Sequence, residues 1–186
     1  MHINRALSTV LAIAATAGLA LAQAPKKAPP SPPKETSVAI NGKTIKIKYS
    51  APSVKGRKIF GGADALQPDN TIWRAGANSA TSLHTDADLN IGGVNVPAGD
   101  YTLYVNLDPK AWQLVISKQT GQWGINRDGS TSLDPAKEVG RATMKMSSPG
   151  ALVETYKMTL ASAGGNKGTL TLEWENTKAS VDFTAK

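Results

Sequence analysis

The chain has 186 residues, 40% of them hydrophobic, which is enough to bury one substantial core, so a single domain is the expectation. It contains no cysteine, which excludes a disulfide framework, thiol catalysis, cysteine metal sites and lipid attachment at an N-terminal cysteine. The formal net charge of +7 is scattered rather than gathered into a basic stripe with interleaved aromatics, and that points away from nucleic acid.

Arg5 precedes an apolar run over residues 6–22, which closes on the small-residue pattern Ala20-Leu21-Ala22. This reads as a secretory signal peptide cleaved after Ala22, since the alternative cut after Ala24 would leave Pro25 next to the scissile bond. Loss of Arg5 with the leader leaves 20 basic against 14 acidic residues, a net +6. The mature chain is then expected to be secreted or periplasmic, with no membrane span. Residues 23–36 follow, with five prolines between positions 25 and 35, and read as a disordered, polyproline-like tether.

The folded domain is expected over residues 37–186. Its first signal is Asn41 and Gly42, a pair suited to a type I′ turn because both positions need positive φ. A two-residue loop sets Ile40 opposite Lys43 and Val38 opposite Ile45, so Val38, Ile40, Ile45, Ile47 and Tyr49 share the core face. Lys46 and Lys48 then point outward. The second signal is Gly92 and Gly93, reached from residues 80–91 and followed by Val94 and Val96; the third is the turn at Pro97, Ala98, Gly99 and Asp100. Beyond it Tyr101, Leu103, Val105 and Leu107 alternate with Thr102, Tyr104 and Asn106. Asp108 and Pro109 turn the chain towards Trp112, Leu114 and Ile116. One short helix fits residues 133–141, started by Asp134 as N-cap with Pro135 in the first turn. The remaining alternations are Ala142, Met144 and Met146; Leu152, Glu154, Tyr156, Met158 and Leu160; Leu170, Leu172 and Trp174; and Val181 with Phe183. About eight to ten short strands without an amphipathic helix of any length imply an all-β, antiparallel fold, with a two-sheet β-sandwich favoured over a barrel.

Four pieces in order carry a resemblance: residues 49–61 (YSAPSVKGRKIFG), residues 73–81 (WRAGANSAT), Pro97-Ala98-Gly99-Asp100-Tyr101-Thr102-Leu103, and Gln122-Trp123-Gly124. Together they are similar to a bacterial secreted family filed as domain of unknown function 2911, over roughly residues 37–183. The resemblance implies a secreted β-domain and carries no assigned reaction.

Several constellations bear on chemistry. His84 is the one histidine outside the leader; with Asp86 and Asp88 it forms a row that shares a strand face, yet lacks the second histidine or cysteine that a transition-metal site wants, so no metal or other cofactor is expected. No nucleophile elbow surrounds Ser50, Ser53, Ser79 or Ser82, which read as turn and strand residues. Glu173 and Glu175 share a face, as a glycosidase pair could, but a solvated outer face explains them equally. The best candidate ligand-binding residues are Arg57, Arg74, Asn78 and Trp123, with Trp73 as a second aromatic wall. Arginine grips carboxylates bidentately, asparagine offers donor and acceptor, and tryptophan presents a flat face to a sugar or cation. The competing assignment has Trp73 and Trp123 plug the core while Arg74 and Asn78 satisfy loop backbone groups.

On these grounds the sequence points to a non-catalytic binding module for an envelope component, a saccharide or a protein partner. The alternatives are a hydrolase or isomerase with an arginine and carboxylate site, and a purely structural domain that associates through a sheet edge.

Overall fold

The computed structural model describes residues 30–186. The leader and the first part of the tether, residues 1–29, lie outside the described residues. Strand β1 (Pro33–Ile40) turns through Asn41 (φ 51°) and Gly42 (φ 74°) into β2 (Lys43–Ser50). Ile40 faces Lys43 and Val38 faces Ile45, the register expected from the turn. Ile40, Ile45, Ile47 and Tyr49 are buried, with Val38 packed partly against them.

Strand structure begins inside the expected tether of residues 23–36. Residues 33–36 are strand rather than disordered spacer, pairing with residues 47–50 of β2. Pro33 is tolerated because it opens an edge strand, where a missing N–H costs nothing. Thr36 is held further by accepting a hydrogen bond from the Leu160 amide at 3.1 Å.

From the irregular segment after β2 the chain runs through β3 (Ile72–Trp73) and β4 (Thr81–Thr85), then crosses at Asp86, Ala87 and Asp88 into a second sheet. There β5 (Leu89–Ile91) and β6 (Val94–Val96) flank Gly92 and Gly93, both at positive φ. A Cβ on Gly92 would sit 2.9 Å from Ala142 Cβ and from Val181 Cγ2, so packing and backbone alike demand glycine. The Pro97 and Ala98 turn returns the chain to the first sheet as β7 (Gly99–Asn106), followed by β8 (Gln113–Ser117).

A long loop and one 3-10 turn (Pro135–Lys137), capped by the Asp134 side chain on the Ala136 amide, lead to β9 (Glu138–Thr143). The expected helix is therefore a single turn, because strand pairing with β8 takes over at Glu138. At Met144 the chain crosses again, to β10 (Lys145–Ser147), β11 (Val153–Ser162), β12 (Lys167–Glu175) and β13 (Thr177–Ala185).

Among the described residues the sheets order as β1-β2-β4-β7-β8-β9, with β3 on β7, and β11-β12-β13-β5-β6, with β10 on β13. Every strand pairing is antiparallel. Among the described residues the fold is thus an all-β sandwich, of thirteen strands rather than eight to ten, since two alternations break where the chain changes sheet and Ile72–Trp73 adds the short β3. The sheet edges shelter each other: β1 lies against β11, and β6 against β9, where Val94 packs on Gly140. Shared shelter of this kind removes the open edges at which strands from other chains would add.

At one end of the core Tyr49, Phe60, Trp73, Trp112, Tyr156 and Trp174 pack together. Trp73 and Trp174 stack at 5.9 Å, and Phe60 stands edge-on to Trp73, Trp112 and Trp174. Trp73 is 3% exposed and its indole N–H donates to the Gly76 carbonyl at 3.0 Å. Of the two aromatic walls considered from sequence, Trp73 is core.

Candidate functional site

The outer face of the first sheet divides in two. On β7 and β8 the outward residues Tyr104, Val115 and Ser117 are buried, although alternation marks Tyr104 as the wet side. The loop over residues 118–134 roofs them. Gln122 donates from Nε2 to the Tyr104 hydroxyl at 2.9 Å, and the Gln119 amide donates to Ser117 Oγ at 3.1 Å.

The roof stops at β7. Beyond it a cleft of about 610 Å³ lies over β2, β4 and the start of β7, with Ser79, Ala80, Thr120, Gly121 and Gln122 along its wall. Antiparallel register builds the floor in two rungs: Lys46, His84 and Asp100 lie opposite one another, and so do Lys48, Ser82 and Thr102. Directly paired residues share a face, so these six polar side chains line one concave surface. Glu35, from β1, lies opposite Lys48 and approaches Lys46 and Lys48 at 3.8 and 4.0 Å.

His84 bridges two carboxylates. Its Nδ1 is 2.8 Å from Asp100 Oδ1 and its Nε2 is 3.1 Å from Asp86 Oδ1. The hydrogen bond to Asp100, and secondly that to Asp86, raises the imidazole pKa above its ordinary value. Asp86 is held below the usual carboxylate range, first by the Thr44 amide, which donates to Oδ2 at 3.0 Å, and then by His84. Asp88 is not part of this row: it has already crossed to the second sheet side, where it accepts from the Ala98 amide at 2.8 Å. Both nitrogens of His84 lie against carboxylates, and among the described residues no hydrogen bond joins it to Ser82, two residues away on the same face, so the contact that a serine nucleophile makes with its base is missing.

Of the residues singled out by sequence, the structure pairs two. Arg74 donates to the Trp123 carbonyl at 3.2 Å, and its guanidinium carbon lies 5.4 Å from the centre of the Trp123 ring. Partial burial lowers the Arg74 pKa, though arginine stays charged at any physiological pH. Trp123 is 55% exposed and follows Gln122 of the cleft wall, whose carbonyl accepts from the Ala80 amide. Asn78, at φ 58°, donates to the Ser31 carbonyl and ties down the chain before β1. Arg57 braces its own loop, donating to the carbonyls of Ser53 at 2.6 Å and Val54 at 3.0 Å. Among the described residues no hydrogen bond or ion pair links Arg57 or Asn78 to the Arg74 and Trp123 pair.

The paired glutamates are engaged elsewhere. Glu173 takes Lys157 at 2.7 Å and Lys178 at 3.7 Å, while Glu175 accepts from the Ile59 amide. Sequence reasoning missed Asp100, Thr102, Thr120 and Gln122 as cleft residues, and read Lys46 and Lys48 only as an outward face. Their alternation was visible; the placement of β4 between β2 and β7 was not.

The fold and the cleft define an all-β sandwich domain with a polar, concave face on one sheet. The chain belongs to the family described as "Protein of unknown function (DUF2911)", whose model matches residues 31–183. Among curated proteins and solved structures nothing matches it.

Proposed function

We propose that this domain is a non-catalytic binding module of the cell envelope, exported by cleavage after Ala22, and that its ligand is a saccharide or a similarly hydroxyl-rich envelope component. The observation that carries the reading is the cleft itself. Its floor alternates ammonium, imidazole, carboxylate and hydroxyl groups across three strands, and an exposed tryptophan stands in the loop that walls it. Sugars need this mixture, because each hydroxyl both donates and accepts and each ring offers an apolar face to an indole. A rigid sheet supplies the floor, so little ordering entropy is spent on binding. The capture of both His84 nitrogens by carboxylates favours binding over proton transfer at this place.

Glycan arrays followed by calorimetry test the reading. The expected result is saccharide binding that Ser82→Trp abolishes by filling the cleft and Trp123→Ala weakens, with melting temperatures close to wild type. Absence of binding to any glycan, or unchanged binding in the folded Ser82→Trp variant, overturns it. Export is checked separately by N-terminal sequencing of the secreted protein, which should begin at Gln23.

A further inference from the structure

Resting on that reading, we infer that the cleft takes a carboxylate of an acidic saccharide on Lys46 and Lys48, and that the protonation state of His84 sets how tightly it does so. The two lysines share one acidic neighbour. Glu35 lies 3.8 and 4.0 Å from their ammonium groups, too far for a hydrogen bond, and no other ion pair engages them among the described residues. One positive charge at that end of the floor is therefore uncompensated, with donors free to meet an anion.

The charged groups facing His84 are Lys46 opposite it on β2, Asp100 opposite it on β7, and Asp86 on its own segment, with Lys48 and Glu35 one rung away. As an imidazolium, His84 donates to both carboxylates at once. Neutral imidazole carries one N–H and can donate to only one. The loser is decided by the other partners. The Thr44 amide holds the Asp86 carboxylate in place against Nε2, whereas the Asp100 side chain, 73% exposed and with no other side-chain hydrogen bond among the described residues, is free to swing away from an unprotonated Nδ1. Deprotonation therefore releases Asp100 over the cleft floor. A free carboxylate there repels an anionic ligand and competes for Lys46, two strand spacings or about 10 Å away between backbones and within reach of an extended lysine.

Calorimetry with a uronic-acid oligosaccharide and a neutral oligosaccharide of matched length, between about pH 5.5 and about pH 8, tests the inference. The acidic ligand should bind more tightly at the lower pH and weaken by roughly three- to tenfold across the range, the size of one added unit charge at about 4 Å through bulk water. Lys46→Gln with Lys48→Gln should erase the preference for the acidic ligand. His84→Gln should flatten the pH dependence, and Asp100→Asn should keep tight acidic binding at the higher pH. Equal affinity for acidic and neutral ligands, or an undiminished pH slope in folded His84→Gln, overturns this inference and leaves saccharide binding standing. Failure of both ligands to bind at every pH overturns both. Carbon NMR gives a ligand-free readout: the Asp100 carboxylate resonance should move as His84 titrates, and its indifference would also sink the switch.

Discussion

The two halves of one sheet face meet opposite fates. On β7 and β8 the outward Tyr104 and Val115 are sealed beneath residues 118–134, while on β2 and β4 the outward Lys46, Lys48, Ser82 and His84 stay at the floor of an open cleft. Both halves follow the same strand alternation, and the difference comes from a loop that reaches one and stops short of the other. A residue's place on the pleat therefore sets which face it joins. What that face meets is decided elsewhere in the chain.

Tyr104→Ala tests the sealed half most severely. It empties a fully buried site under the roof and should cost about 3–4 kcal/mol in urea unfolding, as aromatic-to-alanine changes do in a core. A cost below about 1 kcal/mol would mean that the roof is a loose covering. Next comes Gly124→Ala. The added Cβ would lie 2.7 Å from Arg74 Cβ at a backbone φ of 97°, so roof and Arg74 must separate, with an expected loss of about 1–3 kcal/mol. Trp123 fluorescence should report that separation. Tyr104→Phe isolates the hydroxyl that accepts from Gln122, and should cost about 1 kcal/mol with the fold unchanged.

The open half should respond more weakly. Because folding raises the His84 pKa, the His84 clamp contributes fully below the ordinary histidine value of about 6.5 and is lost as pH climbs through the raised value. Solvent screening keeps its size under about 1 kcal/mol. Thermal melts of wild type against His84→Gln should differ at acid pH and converge at alkaline pH. Smallest of all, Lys48→Ala should change stability by less than about 0.5 kcal/mol, since its contact with Glu35 is long and exposed. A large loss there would show that the open half is architecture.

Much of the framework was legible because local chemistry dictated it. Asn41 with Gly42, and Gly92 with Gly93, set two hairpins and their registers through backbone conformations that few other residues adopt. Asp134 and Pro135 announced a helical turn, though not that it would end after three residues. The proline run hid the first four residues of β1, because composition cannot distinguish a free tether from an edge strand that needs few donors. The candidate site was legible only in part. Arg74 and Trp123 do meet, but Arg57 and Asn78 spend their polar groups on the carbonyls of Ser53, Val54 and Ser31, contacts that residue type alone does not reveal.

By itself the sequence determined the all-β class, the tight turns, the family, and which side chains along each strand fall on a common face. These follow from steric limits on φ and from the two-residue period of a strand. Tertiary structure alone decided that β4 lies between β2 and β7, that residues 118–134 roof one half of that sheet, and that His84 joins Asp100 across 16 positions of sequence. Strand order and loop placement depend on how two sheets bury their faces together, a balance summed over the whole core that no short stretch of residues encodes.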